Sequence, residues 1–126
     1  MSVMIYPTFV SLIWLFLSLA YASRAVITRC ESGEVDSSFC DPRDSSVNMA
    51  NCFHVPNECT FSNRFIKPPA VSYGLVHIDS DKSHNTRINV DVVTSSRGLS
   101  VTFGCWAGSW CYRARISWMA CGLTYA

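Results

Sequence analysis

The chain has 126 residues, a formal charge of +1 and 49% apolar residues, enough for one compact domain and not comfortably for two. No basic tract or Lys/Arg stripe runs along it, so nucleic acid is not indicated and bulk charge does not select the partner. Seven cysteines, three scattered histidines and no CxxC make zinc a poor fit and favour disulfides.

The first 22 residues contain no Asp, Glu, Lys or Arg. Within them "FVSLIWLFLSLA" is a short apolar run, followed by Ala20-Tyr21-Ala22, a small-x-small pattern. This predicts a secretory signal peptide over 1–22, cut after Ala22, although a basic n-region is missing. The alternative is an uncleaved membrane anchor, for which about a dozen apolar residues are short of the roughly 20 needed. The expected product is secreted. All seven cysteines (Cys30, Cys40, Cys52, Cys59, Cys105, Cys111 and Cys121) follow the cut and are read as a disulfide framework. The odd count leaves one thiol free or linked to another chain.

Residues 23–64 form a cysteine-rich N-terminal strand and loop. "ESGEVD" has strand character, whereas "CDPRDSSVNMANC" has no period and reads as loop. From Phe65 the character changes. "AVSYGLVHID" is an apolar run of strand length, introduced by Pro68-Pro69. "DSDKSHN" lacks the glycine and terminal glutamate of an EF-hand loop and reads as a polar turn. "TRINVDVV" places Ile88, Val90 and Val92 on one face, and "LSVTFGCW" does the same with Leu99, Val101, Phe103 and Cys105. Trp106, next along, must point away from that face. From Tyr112 to Ala120, Tyr112, Ala114, Ile116 and Trp118 alternate with Arg113, Arg115, Ser117 and Met119. Short alternating strands separated by turns predict an all-β sandwich over 65–124, one domain with residues 30–64. Ile88, Val90, Val101, Phe103, Ile116 and Trp118 are its expected core, and Arg113 and Arg115 face solvent or a neighbouring subunit.

"FIKPPAVSYGLVHID", "NTRINVDV", "RGLSVTFGCW" and "ISWMACG" together resemble the H-type lectins, the N-acetylgalactosamine-binding agglutinins of invertebrates. The resemblance covers about 60 residues in order. It implies a six-stranded antiparallel sandwich assembled as a homotrimer, or a hexamer of two trimers, with sugar clefts between subunits. It maps the carbohydrate-binding positions onto Arg87, Trp106 with Ala107, and Tyr112. Related proteins often carry His where this chain has Ala107, so one donor is missing. An Asp from the adjacent subunit's N-terminal loop also takes part, with Asp41 and Asp44 as candidates. The family further implies a disulfide from the N-terminal segment to the strand before the Trp loop, making Cys105 with Cys40 a candidate pair. Cys52 and Cys59 are close enough to close a small loop, whereas Cys111 and Cys121 cannot easily bond to one another.

The chemistry suits a sugar. Its hydroxyls need oriented donors, and its C–H face packs on aromatic rings. A guanidinium, an indole and a phenol supply both. The bland alternatives are a solvated Arg87 and a Trp106 packed on a subunit neighbour or disulfide. Trp110 is either a loop anchor or a second sugar platform. No GxSxG, His-based nucleophile motif or paired acids point to catalysis, and no cofactor or metal is implied. Two functions remain: a lectin for galactose- or N-acetylgalactosamine-type glycans that agglutinates or adheres to cells, serving defence, egg protection or adhesion; or a disulfide-linked structural or defence protein with a lectin-like fold and no sugar binding.

Overall fold

The computed structural model describes residues 24–46 and 53–126. The expected signal peptide and Cys52 lie outside the described residues. The described residues form six strands: β1 (Val26–Asp36), β2 (Pro56–Thr60), β3 (Ala70–Ser80), β4 (Ile88–Thr94), β5 (Gly98–Cys105) and β6 (Cys111–Tyr125). They make two antiparallel three-stranded sheets in the orders β1-β6-β3 and β2-β5-β4. The alternation of β4, β5 and β6 therefore yields the expected all-β sandwich.

Period-two burial is clearest on the two central strands. Leu99, Val101 and Phe103 from β5 pack with Ala114, Ile116, Trp118 and Ala120 from β6, all buried. Ile88, Val90 and Val92 of edge strand β4 are partly buried against them. Trp118 lies opposite Gly33 of β1, where a Cβ would meet the indole at 2.9 Å, so any larger residue would displace it. Phe61, Phe65 and Phe53 fill the space that the strands leave.

The described residues before Phe65 carry more strand than their composition suggests. β1 begins at Val26, five residues before "ESGEVD", and pairs with β6 along its whole length. "PNECT" forms β2, a short edge strand paired with β5. Its Pro56 is the first residue, where no ladder donor is required. β1 also answers the two arginines expected to face solvent or a neighbour. Asp36 accepts hydrogen bonds from Arg113 Nε at 3.2 Å and Arg115 Nε at 2.8 Å, and Glu34 accepts from Arg115 Nη1 at 3.2 Å.

Two of the expected cysteine pairings are corrected. Cys105 bonds to Cys111, not to Cys40. β5 ends at Cys105 and β6 starts at Cys111, and the loop between them returns the two Cα atoms to 6.3 Å. Cys40 is buried and disulfide-bonded elsewhere. Cys59 is free, so it does not close a small loop with Cys52 and drops out of the disulfide set. Cys30 and Cys121 face each other directly in the β1–β6 register and are bonded across 91 residues.

Candidate functional site

The Trp loop, residues 106–110, joins β5 to β6 and is closed at its base by the Cys105–Cys111 disulfide. Ala107 and Gly108 take φ of 54° and 74°, and this left-handed pair turns the chain back sharply. The loop is tied to the segment entering β4. Arg87 N donates to Ser109 Oγ at 2.8 Å, and Trp106 N donates to Arg87 O at 3.4 Å. On its other side, Asp81 N donates to Trp110 O at 2.9 Å. The polar turn after β3 and the start of β4 thus hold the loop from two directions.

These ties bring Arg87 and Trp106 together. Arg87 Cζ lies 5.2 Å from the indole centroid, within cation–π range. Trp106 is 53% exposed, as its strand parity requires. Among the described residues the Arg87 guanidinium has no carboxylate within ion-pair distance. An aromatic face and a fork of donors lie open side by side, with Ala107 exposed next to them.

Tyr112 stands in a different cluster. It is 9% exposed, and its OH donates to Asp81 Oδ2 at 3.1 Å. Asp81 Oδ1 accepts from Ser83 N at 2.7 Å and faces His84 Nδ1 at 3.1 Å. The His84 ring stacks on Trp110 with centroids 3.9 Å apart, so one indole face of Trp110 is already covered. The backbone bond from Ser83, then the bonds from His84 and Tyr112, hold the Asp81 pKa down to about 2. Burial, then the bond to Asp81, pushes the Tyr112 phenol above its usual range. Arg43 Cζ lies 5.4 Å from the Tyr112 ring, and its Nε and Nη2 donate to the two oxygens of Asp41 at 2.9 and 2.8 Å. That fork lowers the Asp41 pKa. Asp44 Oδ1 accepts from Ser46 N and Oγ, which lower its own.

Of the positions picked from sequence, Arg87, Trp106 and Ala107 therefore cluster. Tyr112 and Asp41 meet through Arg43, and Asp44 caps its own turn. Arg43, Asp81, His84 and Ser109 escape sequence reasoning. "DSDKSHN" signals a turn, but composition does not show which of its atoms hold the Trp loop.

The H-type lectin domain family matches residues 57–121. The matched segment contains Arg87, Trp106, Ala107, Tyr112 and the whole Trp loop, and leaves Asp41 and Asp44 outside. No curated protein matches the chain.

Proposed function

The chain belongs to the H-type lectin domain family, and from that premise we propose that it binds galactose- or N-acetylgalactosamine-type glycans at the Trp loop. The observation that carries this reading is the unpaired Arg87 guanidinium beside the exposed face of Trp106. The sugar's C–H face stacks on the indole while Arg87 donates to ring-face hydroxyls. Asp81 and Trp110 hold the loop in place, and Tyr112 forms part of its wall through Asp81. Asp41 and Asp44 remain candidates for contact with a sugar on a neighbouring subunit. Asp41 would then share its carboxylate with Arg43. The role is binding, with no bond made or broken.

A homotrimer, or a hexamer of two trimers, completes the reading. Tyr73 and Leu75 of edge strand β3 lie opposite Trp118 and Ile116, so they share the core-facing side of the sheet, yet both are exposed. Val76 and Ile78 continue this uncovered apolar strip. A second copy packed along β3 would cover it and bring clefts from two subunits together. Cys59 is free on β2 and is the thiol for an inter-subunit disulfide. Burial raises its pKa, so thiolate is scarce at neutral pH and such a bond forms slowly. Residues 1–22 act as a signal peptide, the product is secreted, and it serves by agglutinating or adhering to cells.

Agglutination of red cells with free-sugar competition tests the reading. Inhibition by N-acetylgalactosamine or galactose, but not by glucose, is the expected result. A folded protein that binds no sugar on a glycan array would instead favour the disulfide-linked structural or defence protein. A non-reducing gel should show species above the monomer that collapse to about 12 kDa on reduction.

A further inference from the structure

β6 runs from the Trp loop at Cys111 to Tyr125, about 46 Å away at ~3.3 Å per residue. Its far end borders a second, polar cleft of about 580 Å³, lined by Arg24, Asn63, Arg64, Phe65, Thr124 and Tyr125. The volume suits one or two sugar rings.

The walls of this cleft are fixed by backbone. Ile66 N donates to Leu123 O at 2.8 Å, Phe65 N to Ser96 O at 2.9 Å, and Ala126 N to Ala25 O at 2.8 Å. Arg24 and Arg64 are therefore carried on anchored segments that converge from separate parts of the chain. Neither has a carboxylate within ion-pair distance among the described residues, unlike Arg43, Arg113 and Arg115. Glu31 bonds the cleft residue Asn63, and its oxygens are already taken. They accept from Ser62 N at 2.7 Å and from Asn63 N and Nδ2 at 2.8 and 3.0 Å. Burial raises the Glu31 pKa, but these bonds outweigh it and leave a carboxylate that pairs with neither arginine.

Beside the arginines stands the half-exposed ring of Tyr125, a flat apolar surface. Thr124, the preceding residue of β6, turns its buried hydroxyl to the opposite face of the sheet and takes no part. Two unpaired guanidiniums and an aromatic face call for a ligand that carries both an oxyanion and a sugar ring.

We propose that this cleft is a second glycan site, distinct from the Trp loop and selective for saccharides bearing a carboxylate or a sulfate ester. Arg24 and Arg64 hold the anionic group, and Tyr125 takes the ring.

Titration calorimetry on the Trp106→Ala protein, which lacks the platform of the other site, tests this with four probes. They are N-acetylneuraminic acid for the carboxylate, galactose 6-sulfate for the sulfate ester, galactose, and inorganic sulfate. At least one acidic saccharide should bind, and the probe that binds identifies the anion. Adding Arg24→Gln and Arg64→Gln together should weaken it at least tenfold. Tyr125→Ala, which removes the aromatic face, should weaken it a few fold. Galactose should be insensitive to these changes. Absence of acid binding, or acid binding unaltered by the double glutamine change, would overturn the proposal. So would inorganic sulfate binding as tightly as the saccharides. Failure of the Trp loop reading appears separately, as a galactose affinity that Trp106→Ala leaves unchanged from the wild type.

Discussion

Two arginine–aromatic pairs flank the Trp loop, alike in geometry and opposite in consequence. Arg87 lies 5.2 Å from the Trp106 ring, and Arg43 lies 5.4 Å from the Tyr112 ring. Arg43 spends its donors on both oxygens of Asp41, while Tyr112 spends its hydroxyl on Asp81. Every strong group in that cluster is answered within the chain, so it works as a clamp. Among the described residues Arg87 has no such acid, and Trp106 keeps an open face. What separates a binding surface from a structural tie here is how much hydrogen-bonding capacity is left over, not which residue types are present.

The disulfides give the largest expected effects, and they should separate scaffold from site. Cys30–Cys121 closes a span of 91 residues and Cys105–Cys111 one of 6. Chain-entropy scaling assigns about 4–5 kcal/mol of stability to the first and about 2 kcal/mol to the second. Replacing both cysteines of the long link by serine should therefore lower the denaturation midpoint most, with sugar affinity unchanged in the protein that stays folded. Replacing Cys105 and Cys111 should cost less stability yet more than tenfold in sugar affinity, because the Trp loop loses its closed base. Denaturant melts paired with glycan titration give both quantities. Equal losses of affinity from the two pairs would mean that the loop is held by its hydrogen bonds alone.

The next effect sets the two arginine pairs against each other directly. Trp106→Ala removes the platform, and Arg87→Ala removes the fork. Each should weaken galactose-type sugar binding about tenfold, the equivalent of about 1–2 kcal/mol for a sugar face stacked on indole, without unfolding the protein. Arg43→Ala should do the reverse, lowering thermal stability while leaving affinity within about twofold. If Arg43→Ala proved as damaging to binding as Arg87→Ala, the clamp would belong to the sugar site.

The same contrast marks how far sequence could be read. Alternation from Ile88 to Trp118 exposes the strands and their inward faces because a half-buried strand must repeat every two residues. It also turns Trp106 outward, since Phe103 and Cys105 occupy the inward parity. β2 escapes because "PNECT" is a short edge strand with too few apolar residues to show a period. The start of β1 escapes because Val26 to Cys30 are exposed on both faces. Parity gives a cysteine a direction but not a partner, which is why Cys105 was expected to reach Cys40 and instead meets Cys111 across its own loop. The open half of the site, Arg87 with Trp106, is carried by strand ends and family resemblance. The closed half depends on which atoms of a polar turn face the loop, and residue types alone do not encode that.

The clamp should also respond to pH from both sides. Asp81 sits at about 2 against an ordinary 3.8. A lowered carboxylate pKa contributes stability that is complete above pH 3.8 and is lost as pH falls toward 2. Tyr112 is raised above its ordinary 10, so its contribution is complete below pH 10 and is lost at higher pH, as the phenol ionises beside Asp81. Thermal melts should therefore weaken below pH 4 in the wild type, and Asp81→Asn should flatten that acid limb. An unchanged acid limb in Asp81→Asn would show that another carboxylate, such as Asp36 under Arg115 and Arg113, dominates acid lability.

The smallest effect is expected at Ala107, the position where related lectins often carry histidine. Its φ of 54° lies in the left-handed region, where His is better tolerated than β-branched residues. The side chain is exposed on the loop that carries Trp106, so an imidazole there would add a donor without displacing the core. Ala107→His should tighten galactose-type binding by a few fold, on the order of one ordinary hydrogen bond at a solvent-facing site. Ala107→Val, which adds bulk and a strained backbone but no donor, should give no gain and lower the melting temperature. If the two substitutions behaved alike, position 107 would act through loop conformation, and Arg87 with Trp106 would be the whole of the polar and stacking recognition on this subunit.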